Sequence, residues 1–183
     1  MSELIIKGQK AKEASYELSN ASTNAKNDAL LFMAEELINE KVSILKANEI
    51  DVENAKANGM SEAMLDRLSL NEDRINGMAD GLKELIGLQD PIGEVISMWQ
   101  RPNGLQIGQK RVPLGVIGII YEARPNVTCD AAGLCLKSGN TVILRGGSEA
   151  INSNMAIVKA LVEGIKEAGL PEYSLPVSYT HLT

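Results

Sequence analysis

Two short apolar runs, each followed directly by a polar loop, constrain the fold of this chain more than any other feature. Residues 116–121 read VIGIIY and lead into EARPN, whereas residues 141–144 read TVIL and lead into RGGSE. Odd-numbered and even-numbered positions of the first run are both apolar, which is typical of a strand buried on both faces of a sheet. Helical patterns follow both runs, so the sequence predicts a β-α-β-α order with parallel strands and right-handed crossovers.

The first polar loop, residues 122–126, is one half of the candidate functional site. Ligands of open α/β sheets bind beyond the carboxyl ends of the strands, where this loop lies. Two interpretations of Asn126 remain open on the residues alone: its side chain serves a ligand site, or it caps the helix that follows Pro125.

The second polar loop, residues 145–149, is the other half. Gly146 and Gly147 allow a ligand close to the backbone, and Ser148 with the N–H groups of the next helix suits an anion. The Arg145 guanidinium matches phosphate oxygens, and Glu149 can accept from a sugar hydroxyl. The spacing is neither GxGxxG nor a P-loop, so a simple turn with a helix cap explains this loop equally well.

The first ninety residues show apolar positions at helical spacing and no group that carries chemistry by itself. We expect one continuous apolar face, whose members are Leu30, Ala34, Leu37, Ile38 and Leu45. Gly59 is expected to end one helix and Asn71 to cap another. Residues 105–112 alternate like a half-exposed strand, and Trp99 is expected to be a packing anchor under a loop.

Composition excludes several classes of function. The 183 residues suffice for one domain with a core, and a net charge of −6 with 3% aromatics argues against nucleic-acid binding. One His and two Cys cannot supply a zinc site, so no metal is expected. The absence of a signal sequence or a membrane-length apolar run predicts a soluble cytoplasmic protein without a membrane partner.

The cysteines, Cys129 and Cys135, stand six residues apart. On a helix this spacing places them on different faces, so a disulfide between them is excluded. We expect two small buried apolar side chains. A nucleophilic role would need a nearby base, and the only histidine is His181 near the end of the chain.

The two loops with their flanking strands resemble a known family. VPLGVIGIIYEARPNVT and LCLKSGNTVILRGGSEA are similar to the glutamyl phosphate reductases, also called glutamate-5-semialdehyde dehydrogenases, of the aldehyde dehydrogenase superfamily. The similarity continues upstream through MSEAMLDRLSLNEDRI and DPIGEVISMWQRPNGLQIGQKRVPLG and covers residues 10–175.

The resemblance implies a truncated α/β aldehyde dehydrogenase-like fold, with a Rossmann-like parallel sheet and an N-terminal helical segment. Residues 1–175 would form part of an NADP-binding domain: helices in 1–90, a strand at 105–112 directed toward an oligomerisation element, and the β-α-β-α unit at 113–169.

The resemblance also implies an activity: NADPH-dependent reduction of glutamyl 5-phosphate to glutamate 5-semialdehyde, with release of phosphate, in proline biosynthesis. The family's nucleophilic cysteine lies beyond residue 175, so neither cysteine of this chain corresponds to it. A homo-oligomer and a channelling partner, glutamate 5-kinase, are implied as well.

Three positions of this chain match functional residues of the family. Asn126 matches the asparagine whose amide holds the oxyanion, and Arg145 and Glu149 match residues that face the cofactor ribose. Gly146 is an insertion relative to the commoner Lys-Pro-Ser-Glu form of the superfamily. Arg124, close to this site, is expected to bind the substrate's carboxylate or phosphate.

Alternatives remain at this stage. The chain lacks the family's catalytic thiol, which favours a non-catalytic nucleotide- or anion-binding module, and a dehydrogenase acting on plain aldehydes is a third reading. The last eight residues, PVSYTHLT at 176–183, do not continue the family pattern. We therefore expect them to be foreign and poorly packed, His181 to have no catalytic role, and the fragment to be inactive and prone to aggregation.

Overall fold

The computed structural model describes residues 3–178. Helices, a hairpin and a β-α-β-α unit follow one another in the chain, with 3₁₀ turns at Ser148–Ala150 and Glu172–Ser174. The helices are α1 (Glu3–Leu18), α2 (Thr23–Asn39), α3 (Lys41–Ala57), α4 (Glu62–Leu68), α5 (Glu72–Gly87), α6 (Pro125–Lys137) and α7 (Ile151–Glu167). The strands are β1 (Val95–Gln100), β2 (Gln106–Lys110), β3 (Val116–Ile120) and β4 (Thr141–Arg145).

Helix α2 lies at the centre of the core and packs against α5 and α7. Its residues Leu30, Ala34 and Leu37 are fully buried, as the helical spacing predicts. The prediction of one continuous apolar face is wrong beyond Asn39, because α2 ends at that residue and α3 begins at Lys41. Ile38 is consequently 38% exposed, and Leu45 belongs to α3.

The predicted helix boundaries at Gly59 and Asn71 are confirmed. The Asn71 side chain accepts a hydrogen bond of 2.8 Å from the Arg74 N–H, which satisfies one of the free donors at the start of α5. Gly59 has a φ of 74°, and the Met60 N–H donates to the Ala55 carbonyl at 3.0 Å. This left-handed ending after α3 is the geometry that favours glycine.

Strand β4 pairs in parallel with β3, as the β-α-β-α order predicts, with Val116 opposite Thr141. On its other side Leu144 forms a parallel bridge with Val177. Strand β3 has only one neighbour among residues 3–178 and is therefore an edge strand. The prediction that it is buried on both faces is wrong for this chain, since Ile120 is 73% exposed.

Strands β1 and β2 form an antiparallel hairpin in which Trp99 lies opposite Ile107. The strand predicted at 105–112 is present in shortened form, but its partner β1 was not foreseen. Trp99 is 46% exposed on this hairpin, so its assignment as an anchor under a loop is wrong. The two strands satisfy each other's backbone hydrogen bonds, while nearly all of their residues stay exposed.

Residues 176–178 correct the prediction of a poorly packed tail. Leu144 donates its N–H to the Pro176 carbonyl at 3.0 Å, and Ser178 donates to the Leu144 carbonyl at 2.9 Å. Val177 and Ser178 are buried. Pro176 contributes only its carbonyl, and the first residue of a strand is a position that tolerates proline. The remaining tail, including His181, lies outside the described residues.

Within residues 3–178 no helix has the length and apolar character needed to cross a membrane. The same part of the chain contains no group of three or more His, Cys, Asp or Glu side chains arranged to hold a metal ion.

Candidate functional site

The parallel register brings the two predicted loops together. Ile120 stands opposite Arg145 at the carboxyl ends of β3 and β4, and the Tyr121 N–H donates to the Arg145 carbonyl at 3.0 Å. Both loops line one cavity of about 550 Å³, here called the loop cavity. Its lining residues are Met64, Arg67, Tyr121, Glu122, Ala123, Arg124, Gly147 and Glu149.

The two glycines of the second loop lie close to other groups of this chain. A Cβ on Gly146 would collide with Asn154 Nδ2 and lie 3.2 Å from the Tyr121 ring. A Cβ on Gly147 would lie 3.2 Å from the Ala123 backbone nitrogen in the first loop. A side chain at 146 would therefore displace Asn154 or Tyr121, and one at 147 would press against Glu149 and the first loop.

The N-terminus of α7 does not offer the free N–H groups that the sequence predicts for an anion. The Asp51 carboxylate, from α3, accepts from the Ser153 N–H at 2.7 Å and hydroxyl at 2.6 Å. It also accepts from the Asn152 N–H and side-chain amide. Asp51 is only 2% exposed. An internal carboxylate thus occupies the place where a ligand anion was expected, and it ties the start of α7 to α3.

The exposed side chains of the second loop are Ser148 and Glu149. Both line a further cavity of about 550 Å³ against α3 and α4, and Glu149 lines the loop cavity as well. Arg145 is partly buried, and its guanidinium donates to the Gly146 carbonyl. Its Nε is buried without a hydrogen-bond partner among the described residues.

Asn126 lies in the first turn of α6, where Arg124 is the N-cap residue and Pro125 the first helical residue. The capping interpretation is therefore wrong, since the Asn126 side chain accepts no hydrogen bond from the helix start. The amide is exposed, with Nδ2 3.5 Å from Asp130 Oδ2. Burial raises the pKa of Asp130, although this hydrogen bond partly opposes the rise.

Asn126 and Arg124 together line a cavity of about 460 Å³, here called the Asn126 cavity. Its other lining residues are Asp66, Arg67, Ser69, Leu70, Arg74, Gly77, Met78 and Asp130. Arg67 and Arg74 are not among the residues predicted for the site, although both lie within the string MSEAMLDRLSLNEDRI that carries part of the resemblance. Helices α4 and α5 thus supply a wall of the site.

The two cysteines are free and buried, as predicted. Burial raises the pKa of Cys129, with a smaller contribution from Asp130, and burial raises the pKa of Cys135 to about 11. Neither thiol is a thiolate near neutral pH, so neither can act as a nucleophile. Elsewhere on α6, Leu134 is 56% exposed, whereas Leu136 is buried.

Comparison with solved structures defines first the class of fold. The chain superposes on a putative aldehyde dehydrogenase from Bacillus subtilis with a TM-score of 0.70 at 18% identity, over 98% of this chain and 36% of that one. The chain therefore has an aldehyde dehydrogenase-like fold. No family model matches the sequence.

The particular resemblance is much stronger. The TM-score to the gamma-glutamyl phosphate reductase of Thermotoga maritima is 0.95 at 51% identity, over 97% of this chain and 43% of that one. The gamma-glutamyl phosphate reductase of Clostridium botulinum (strain Alaska E43 / Type E3) is 72% identical over 175 residues, which is 96% of this chain and 42% of the relative. The predicted resemblance to the N-terminal part of glutamyl phosphate reductases is confirmed, and the chain spans less than half of their length.

Proposed function

We propose that this chain is the N-terminal part of a cytoplasmic reductase that uses NADPH to convert glutamyl 5-phosphate into glutamate 5-semialdehyde and phosphate, a step of proline biosynthesis. The observation that carries this proposal is the 72% identity over 175 residues with a gamma-glutamyl phosphate reductase. Residues 1–175 would form part of the NADP-binding domain, and residues 176–183 a foreign tail.

Asn126 and Arg124 would bind the reacting end of the substrate. The exposed Asn126 amide can donate to the acyl oxygen as it becomes an oxyanion, and one such donor is worth roughly 3 kcal/mol in the transition state. Arg124, at the N-cap of α6, can bind the substrate's phosphate or carboxylate. The nucleophilic thiol would come from residues outside this chain, because both cysteines here are buried and protonated.

NADPH, when bound, supplies the hydride. The exposed Glu149 carboxylate and Ser148 hydroxyl fit the hydroxyls of a ribose, and Arg145 would meet the 2′-phosphate that distinguishes NADPH from NADH. The N–H groups of Asn152 and Ser153 at the start of α7 already donate to the Asp51 carboxylate. The pyrophosphate of the cofactor would therefore be held by other groups.

A homo-oligomer and a channelling partner, glutamate 5-kinase, complete the proposal. The β1–β2 hairpin is exposed along most of its length, which suits a strand directed toward another subunit. An acyl phosphate is readily hydrolysed in water, so direct transfer from the kinase that makes it would protect the substrate.

The test is a chimera in which residues 3–175 of this chain replace the matching segment of the Clostridium botulinum relative. Oxidation of glutamate 5-semialdehyde with NADP⁺ and phosphate is followed by the appearance of NADPH. Arg145→Ala should weaken NADPH binding by about 1.5–3 kcal/mol and NADH binding much less. An inactive but folded chimera would contradict the proposed function, and equal losses for both cofactors would contradict the role of Arg145.

The 183-residue chain alone is expected to be inactive, because it contains no reactive thiol. Because both cysteines are buried, this chain offers no accessible thiol. This observation also favours the second candidate function, a non-catalytic nucleotide- or anion-binding module. A chimera that binds NADPH but never reduces the acyl phosphate, with the relative's own thiol present, would favour that module.

A further inference from the structure

Three arginines line the Asn126 cavity, and one of them is already engaged within the chain. Arg74 donates to the Asp66 and Ser69 carbonyls and forms a 2.9 Å ion pair with the Asp66 carboxylate. These contacts hold the end of α4 and the turn after it against α5. The Arg74–Asp66 pair therefore supports the cavity wall and leaves no net charge for a ligand.

Arg67 and Arg124 differ from Arg74, because neither guanidinium group has a hydrogen bond or ion pair within residues 3–178, where Arg124 is bonded only through its backbone. Both side chains are exposed, and both line the Asn126 cavity as well as the loop cavity. They come from distant parts of the chain, α4 and the start of α6, yet both lie at the border between the two cavities.

Within the Asn126 cavity the unpaired charges favour an anion. Once Arg74 and Asp66 are paired, Arg67 and Arg124 face only Asp130 in the Asn126 cavity. Glu122 and Glu149 line the loop cavity, on the side where the cofactor is proposed to bind.

We propose that Arg67 and Arg124 form a two-guanidinium site for the phosphate group of the acyl-phosphate substrate, with Arg67 as the specificity-determining residue supplied by α4. This inference rests on the proposed function and deepens it. Two planar guanidinium forks can together satisfy several phosphate oxygens. The phosphate is attached to the carbon whose oxygen Asn126 would bind, so all three side chains must share one cavity, as they do.

The test measures the binding of inorganic phosphate, the product of the reaction, to the ¹⁵N-labelled 183-residue chain by NMR. Arg67→Gln should raise the dissociation constant of phosphate about tenfold, which equals about 1.4 kcal/mol. Arg67→Lys keeps the charge without the fork and should raise it less. The matched control is Arg101→Gln, an exposed arginine in the hairpin turn, which should leave phosphate binding unchanged.

Glutarate, which carries carboxylates but no phosphate, serves as the second probe. If Arg67→Gln weakens glutarate and not phosphate, Arg67 binds the carboxylate end and the proposal is wrong. It is also wrong if Arg101→Gln weakens phosphate as much as Arg67→Gln does. Folding of each variant is checked by the dispersion of its amide signals, and Arg67→Lys decides the matter if Arg67→Gln does not fold.

The chimera separates this inference from the proposed function. An active chimera in which Arg67→Gln leaves the inhibition by phosphate unchanged would overturn the role of Arg67 alone. An inactive chimera would overturn the reductase proposal, while phosphate titration of the 183-residue chain would still decide whether Arg67 belongs to an anion site.

Discussion

Gly164 in α7 is the position where one methyl group should do most damage to the fold. A Cβ built there would collide with the Met33 nitrogen and lie 2.6 Å from both Met33 Cα and the Phe32 carbonyl carbon. These are backbone atoms of α2, so no side chain can rotate away. Since carbon atoms pack at about 3.5–4.0 Å, α2 and α7 would have to separate by roughly 1 Å.

The cost of Gly164→Ala follows from that geometry. Overpacking of a core usually costs about 1–3 kcal/mol, and a collision with backbone belongs at the upper end. Alanine's better helix propensity returns at most about 1 kcal/mol. We therefore expect a net loss of about 2 kcal/mol in the free energy of unfolding.

The assay is urea denaturation of the 183-residue chain, followed by far-UV circular dichroism at neutral pH. The matched control is Gly81→Ala in the middle of α5, where a Cβ would meet nothing within 4 Å. This control should gain about 0.5–1 kcal/mol. A Gly164→Ala midpoint equal to or above that of the unmutated chain would refute the argument from close helix approach.

Three further outcomes are expected. Burial alone would raise the pKa of Asp90, but hydrogen bonds from Lys26 and Thr23 hold this pKa below its usual value. The Asp90 carboxylate therefore stabilises the fold above about pH 4. That contribution is lost as the pH falls through the lowered pKa. Urea midpoints measured across that range should fall less in Asp90→Asn than in the unmutated chain. Cys129 and Cys135 should resist a thiol reagent in the native chain and react once it is unfolded, so rapid native labelling would contradict their burial. In the chimera, Asn126→Ala should lower kcat about 100-fold or more with NADPH affinity nearly unchanged; normal turnover would remove Asn126 from the oxyanion site.

The sequence by itself determined the features that depend on neighbouring residues. Alternation and apolar runs located β3 and β4, and Asn71 and Gly59 marked helix ends, because caps and left-handed turns are satisfied within a few residues. The parallel order was enough to predict that the loops after the two strands meet, since parallel strands end at the same edge of a sheet.

Only the tertiary structure decided how the groups around those loops are used. The Asp51 carboxylate accepts hydrogen bonds at the start of α7 from two residues that lie 101 and 102 positions further along the chain. Arg67 lines the Asn126 cavity from α4. The exposure of Ile120 depends on which elements cover the face of β3, and the need for glycine at 164 depends on how closely α2 approaches. No local pattern encodes such contacts, because they arise from the way separate helices and strands pack on one another.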